Sequence, residues 1–290
     1  MPQQVAQLIT AIPPLTLIIG IALLLLGGQW LVEGSVRIAR RMGVSTLLIG
    51  LTVVAFGTSS PELAFNITAA INGNGELSFG NVVGSNIANI ALVLGVAALI
   101  GPLVVHGRVV KKELPLLILV SVAMLFLGLL TFTRIPAAGG GLHGYTLLDG
   151  VILLGLFGLF TWLWYDMGKQ DRSDPLTREA AEELASEAAG SLFAAILLFV
   201  IGLAGLVAGG KLAEVGATGV AQWLGLSNAL IGLTIVAVAT SLPELVTSVI
   251  ACRKGHNDLA VGNIVGSNLF NILLVLGATC LFGDVPVPAP

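Results

Sequence analysis

Apolar residues run along this chain in stretches of about twenty, separated by short polar breaks. The runs at 15–32, 114–132 and 192–210 are the clearest. Each is free of charge or nearly so and long enough to cross a hydrocarbon core, which takes roughly 20 helical residues. Reading apolar runs between breaks predicts helices over 15–38, 44–71, 78–100, 114–133, 145–166, 191–222, 227–252 and 259–282. One break differs in kind: residues 166–190 mix both charge signs and read as a solvated connector with a short helix from near Thr177. The chain therefore divides into 1–165, 166–190 and 191–290.

If the helices alternate in direction, the loops after the first, third, fifth and seventh share one side with 11 of the 13 Lys and Arg residues, among them Arg40, Arg41, Lys111, Lys112, Arg253 and Lys254. The positive-inside rule places that side, and the connector, in the cytoplasm and the N-terminus outside. Composition agrees with a lipid solvent. Only 10% of residues are charged, against about 25% in soluble domains, and mean hydropathy is +0.99. The 37 glycines suit helices packed closely in a bilayer. Net charge is −3 with the basic residues scattered, so nothing points to nucleic acid. No Lys or Arg precedes the first apolar run, so it reads as a retained helix rather than a signal peptide. Cys252 and Cys280 read as small hydrophobes.

A repeat carries the chemistry. LIGLTVVAFGTSSPEL at 48–63 returns as LIGLTIVAVATSLPEL at 230–245, an offset of 244 − 62 = 182. The same offset aligns GNVVGSNIANIALVLG at 80–95 with GNIVGSNLFNILLVLG at 262–277, where 12 of 16 positions are identical. Five helices precede the connector, and five is odd, so the second copy enters the membrane inverted. Transporters built from inverted repeats place their ion site near the midplane, at interrupted helices. Pro61 and Pro243 predict such interruptions, freeing upstream carbonyls that include those of Ala55 and Ala237.

Glu62 and Glu244 follow those prolines. A carboxylate inside a bilayer costs at least about 2.5–3.5 kcal/mol, and neither motif contains Lys or Arg, so a transported cation or a proton is the natural partner. The neighbours suit a hard cation: Ca2+ takes six to eight oxygens from carboxylates, carbonyls and water. Thr58, Ser59, Ser85, Asn86 and Asn89 supply oxygens in one copy, and Thr240, Ser241, Ser267, Asn268 and Asn271 in the other. The three histidines fall in predicted loops, which disfavours zinc or copper. Glu33 and Asp149 lie near helix ends and reach the interface, Glu214 pairs with Lys211 or serves as a gating element, and Gly80, Gly84, Gly262 and Gly266 read as packing positions.

GTSSPEL with GNVVGSNIANIALVLG, and ATSLPEL with GNIVGSNLFNILLVLG, resemble the two signature repeats of the sodium/calcium exchanger family. The resemblance implies an all-α membrane bundle of five plus five helices, an external N-terminus, and Na+ or H+ influx driving Ca2+ export across the cell membrane, with no cofactor and no obligatory protein partner. It places Ca2+ ligands on Glu62, Glu244, Thr58 and Thr240. Na+ sites fall on Ala55, Thr58, Ser59, Glu62 and Ser85, and on Ala237, Thr240, Ser241, Glu244 and Ser267. A central position falls on Asn89 and Asn271. Several sodium exchangers carry Asp where this chain has Asn271, which leaves the coupling ion open between Na+ and H+. Only eight helices are expected here, because the sequence stops after the eighth: a truncated second half, or a natural eight-helix form. A cation channel is the rival from another class, and the inverted repeat argues against it. No DDxxD, HExxH or nucleophile elbow suggests an enzyme.

Overall fold

The computed structural model describes residues 12–103, 105, 107, 109–130, 144–173, 191–226 and 239–287. Among them, six helices are long and apolar enough to cross a membrane, or seven when one bent pair counts as a single span. Helix α1 spans Pro13–Met42, opens on a proline whose missing N–H costs nothing at that position, and stops at Gly43, which takes a left-handed φ of 62°. Next come α2 (Thr46–Thr58) and α3 (Ser60–Ile71), bent by 43° where they meet. Pro61 causes the break: it has no N–H for the Gly57 carbonyl, and its ring crowds the preceding turn. Helices α4 (Gly75–Ile100), α5 (Val109–Leu129), α6 (Leu147–Ser173), α7 (Leu192–Trp223), α8 (Leu242–Arg253) and α9 (Asn257–Thr279) follow. The second interruption falls at Thr240 and Ser241, ahead of Pro243. Residues 227–238, the start of the predicted seventh helix, lie outside the described residues, as do 174–190 with the predicted connector helix.

Glycines fasten α1 to α7. Gly20, Gly27 and Gly34 sit seven residues apart on α1, and Gly202, Gly209 and Gly216 occupy the same positions on α7 at the repeat offset, since 202 − 20 = 182. A Cβ on Gly20 would lie 2.3 Å from Ala213 N, on Gly27 2.6 Å from Leu206 N, and on Gly34 2.6 Å from Phe199 N. The partner number falls as the glycine number rises, so the two helices are antiparallel and touch backbone to backbone. Small residues permit this approach in lipid, where dispersion and not the hydrophobic effect drives helix association. Gly27→Leu forces the pair apart and lowers the thermal midpoint in detergent by the equivalent of about 1–3 kcal/mol; a midpoint equal to wild type contradicts the ladder.

Helix α9 forms the centre, with 94% of its most apolar window buried. It lies parallel to α2: a Cβ on Gly262 would meet Leu47 O at 2.6 Å, and one on Gly266 would meet Leu51 O at 2.6 Å. Those two glycines are close-packing positions, as expected. Gly80 and Gly84 differ, having nothing within 4 Å of a built Cβ among the described residues. Helices α5 and α6 flank α9, where Phe157, Trp164 and Phe270 cluster, with the Trp164 and Phe270 rings stacked 6.1 Å apart. A two-residue pair, β1 (Gly144–Tyr145) with β2 (Val285–Pro286), is antiparallel and ties the start of α6 to the segment after α9.

The peripheral acids divide. Glu33 pairs with Arg37 on the same helix face. Lys211 Nζ and Glu214 Oε2 lie 2.8 Å apart with the lysine side chain 69% exposed, so this is a surface pair. Asp149 does not reach the interface as free surface: it is buried, and its Oδ2 accepts from Thr146 N and Oγ1 at 2.8 and 2.9 Å. It caps the start of α6, where the helix dipole favours a negative group.

Candidate ion-binding site

The two interruptions meet at the level of α9's middle. Glu62 sits in the first turn of α3 and Glu244 in the first turn of α8, each 1% exposed. Both therefore occupy a helix N-terminus, where unpaired N–H groups and the dipole offset part of the cost of burying a carboxylate. Ser59, from the first copy's motif, donates its hydroxyl to Glu244 Oε1 at 3.4 Å, so the two motifs touch across the repeat boundary.

Thr58 is the busiest hydroxyl. It donates to Asn263 Oδ1 at 3.1 Å and shares a 3.3 Å hydrogen bond with Ser267 Oγ. One hydroxyl carries one proton, so with Asn263 as acceptor Ser267 supplies the second bond. The carbonyl of Ala55 is not freed by Pro61. It accepts from Ser59 N at 3.0 Å; the N–H that Pro61 lacks is the one an unbroken helix would direct at the Gly57 carbonyl. Asn271 donates Nδ2 to Asn86 Oδ1 at 3.0 Å, and Asn86 donates to the Asn268 carbonyl at 3.4 Å, which links α4 to α9 across the centre.

Ten buried side-chain atoms have no hydrogen-bond partner among the described residues, and all ten are oxygens. Seven belong to predicted site residues: Glu62, Ser85, Asn89, Thr240, Ser241, Glu244 and Asn271. Buried polar atoms in folded proteins are otherwise almost always paired. Carboxylate, amide and hydroxyl oxygens without Lys or Arg among them are the kinds of atom that a hard cation takes. Of the remaining predicted residues, Thr58, Ser59, Ser267 and Ala55 line the same region, and Ala237 lies outside the described residues.

Two features escaped the sequence reading. The helix widens into a π-helical turn at Asn89–Val93 and again at Asn271–Leu276, starting at positions related by 271 − 89 = 182. Such turns recur at functional sites because they redirect one side chain without ending the helix. Asn81 and Asn263 also recur at the offset inside apolar segments, the signal that marked the glutamates, and both make interhelical hydrogen bonds.

The sequence profile described as sodium/calcium exchanger protein matches residues 12–165 and 194–289. This chain belongs to that family. Its two matched blocks leave out the stretch that contains the charged connector. A relative named putative antiporter CaxA, from Alkalimonas amylolytica, is 43% identical over 262 residues, covering 90% of this chain and 77% of that protein. The sodium/calcium exchanger MaX1 of Methanosarcina acetivorans is 35% identical over 300 residues, covering 94% and 84%. Among solved structures, the sodium-calcium exchanger NCX_Mj soaked with 10 mM Na+ and zero Ca2+ superposes with a TM-score of 0.79 at 32% identity, over 96% of this chain and 85% of that one. Family and fold are those of a membrane transporter and not of an enzyme.

Proposed function

We propose that this exchanger-family chain exports Ca2+ in exchange for Na+ through a single site between Glu62 and Glu244. The observation that carries the reading is the convergence of two buried, repeat-related carboxylates among unpaired oxygens, with no basic residue to neutralise them. Ca2+ binds there, and monovalent cations entering from the other side occupy the same oxygens and displace it. The loaded, neutral site crosses between access states; the bare dianion does not, because two uncompensated charges in low dielectric are too costly. In this reading the face bearing Arg40, Arg41, Lys111, Lys112, Arg253 and Lys254 is cytoplasmic, the N-terminus is outside, and the protein sits in the cell membrane. The names of the relatives, an antiporter and a sodium/calcium exchanger, support the same assignment.

Asn271 favours a second reading, in which H+ drives Ca2+ export through the same site. Its amide is held as a donor to Asn86, so the central position adds no negative charge to attract a further Na+. Uptake of 45Ca2+ into proteoliposomes under separately imposed Na+ and pH gradients distinguishes the two. Sodium coupling predicts accumulation when internal Na+ exceeds external Na+ at uniform pH; proton coupling predicts it only when the interior is acidic. Uptake that follows neither gradient contradicts antiport.

A further inference from the structure

We propose that Asn263 and Asn81 are paired positioning residues that close opposite faces of the transport pathway, each by holding the site threonine of the other copy. The inference rests on the antiport reading and adds to it the contact that bars each route. Asn263 is fully buried; its Oδ1 accepts from Thr58 Oγ1 at 3.1 Å, and its Nδ2 donates to Ser248 Oγ at 3.1 Å. A chain of side chains therefore runs from α2 through α9 to α8. Chain direction gives its level. Helix α2 enters at Thr46 and α9 at Asn257, both from the basic face, and Thr58 precedes Glu62 as Asn263 precedes Ser267. The Thr58–Asn263 contact thus lies between the glutamates and the basic face.

The inverted counterpart is Thr240 with Asn81, since 240 − 58 = 182 and 263 − 81 = 182. The hairpin half of the chain is present there: Asn66, the counterpart of Ser248, donates Nδ2 to Asn81 Oδ1 at 2.6 Å. The threonine half is missing, because Thr240 Oγ1 has no hydrogen-bond partner among the described residues. One copy is latched and the other is not. In the copy that is not latched, the acceptor Thr240 needs, Asn81 Oδ1, is engaged by Asn66; in the latched copy, Asn263 presents its nitrogen to Ser248 and keeps its oxygen for Thr58. Exchange of access between the faces exchanges the two contacts: Thr58–Asn263 when the basic face is closed, Thr240–Asn81 when the opposite face is closed.

The test is the half-saturating Ca2+ concentration for 45Ca2+/Ca2+ exchange, measured separately from each face of oriented proteoliposomes. Apparent affinity from a face scales with the fraction of protein open to it. Asn263→Ala releases the basic face, so the value falls there and rises at the opposite face, changing their ratio roughly two- to tenfold, as loss of one hydrogen bond allows. Asn81→Ala moves the ratio the other way, and the double variant returns it toward wild type. Two single variants that move the ratio in the same direction, or leave it unmoved while transport persists, overturn the proposal. Asn81 is only partly buried, so its variant alone decides the sign if Asn263→Ala does not fold. Wild-type protein without Ca2+ exchange would instead overturn the antiport reading.

Discussion

Glu62→Gln and Glu244→Gln each reduce Ca2+ flux in reconstituted vesicles by roughly a hundredfold or more. Each substitution keeps the side-chain shape and removes one charge, so a site holding Ca2+ is left with a net positive charge in a bilayer environment. The mildest membrane scale puts an uncompensated charge at about 2.5–3.5 kcal/mol, which corresponds to that loss. Folding is not the cause: removal of one of two buried like charges relieves repulsion, so both variants keep or raise the wild-type thermal midpoint. Initial rates of 45Ca2+ efflux, read beside thermal unfolding of the same preparations, check both halves of the expectation. A variant that retains its flux shows that its carboxylate does not hold the ion.

Electrical behaviour is the second large expectation. The site charge is set by two carboxylates, with Asn89, Asn271, Asn86, Asn268 and the hydroxyls all neutral. Two negative charges balance one Ca2+ or two monovalent cations, so exchange through this site moves no net charge, and an imposed potassium diffusion potential leaves the final Ca2+ ratio unchanged. Asn271→Asp adds a third carboxylate at the centre. A third monovalent cation then accompanies each cycle, and exchange carries one net charge. A charge crossing the membrane responds by about 2.3 kcal/mol per 100 mV, roughly fiftyfold in the Ca2+ accumulation ratio. Potential-dependent accumulation by the wild-type protein, or potential-independent accumulation by an active Asn271→Asp protein, contradicts the charge balance.

The helical bundle was legible because lipid imposes long apolar runs, and the break at Pro61 because a missing N–H cannot be repaired within a helix. The candidate site stood out in the sequence because a charged residue in an apolar segment is rare, and one repeated at an identical offset is rarer still. Neutral polar residues carry a weaker signal. Asn81 and Asn263 satisfied the same offset rule, yet their function depends on which helix each faces, and that depends on packing. The α1–α7 ladder was written in the glycines at 20, 27 and 34 and at 202, 209 and 216, but glycine is common enough here that only their backbone contacts single them out. The β1–β2 pair joins residues more than a hundred positions apart, and no local pattern announces it. Ala55 shows the opposite error. The break was placed correctly, but the Ala55 carbonyl keeps a backbone partner, because the N–H that Pro61 lacks would have been directed at Gly57, four residues before the proline.

Equilibrium binding of 45Ca2+ to the purified, detergent-solubilised protein tests most directly whether the two acids hold the transported ion. The expected result is one Ca2+ per chain, displaced competitively by the coupling cation and lost in the Glu62→Gln/Glu244→Gln double variant, which remains folded. Undiminished Ca2+ binding by that double variant would contradict the account.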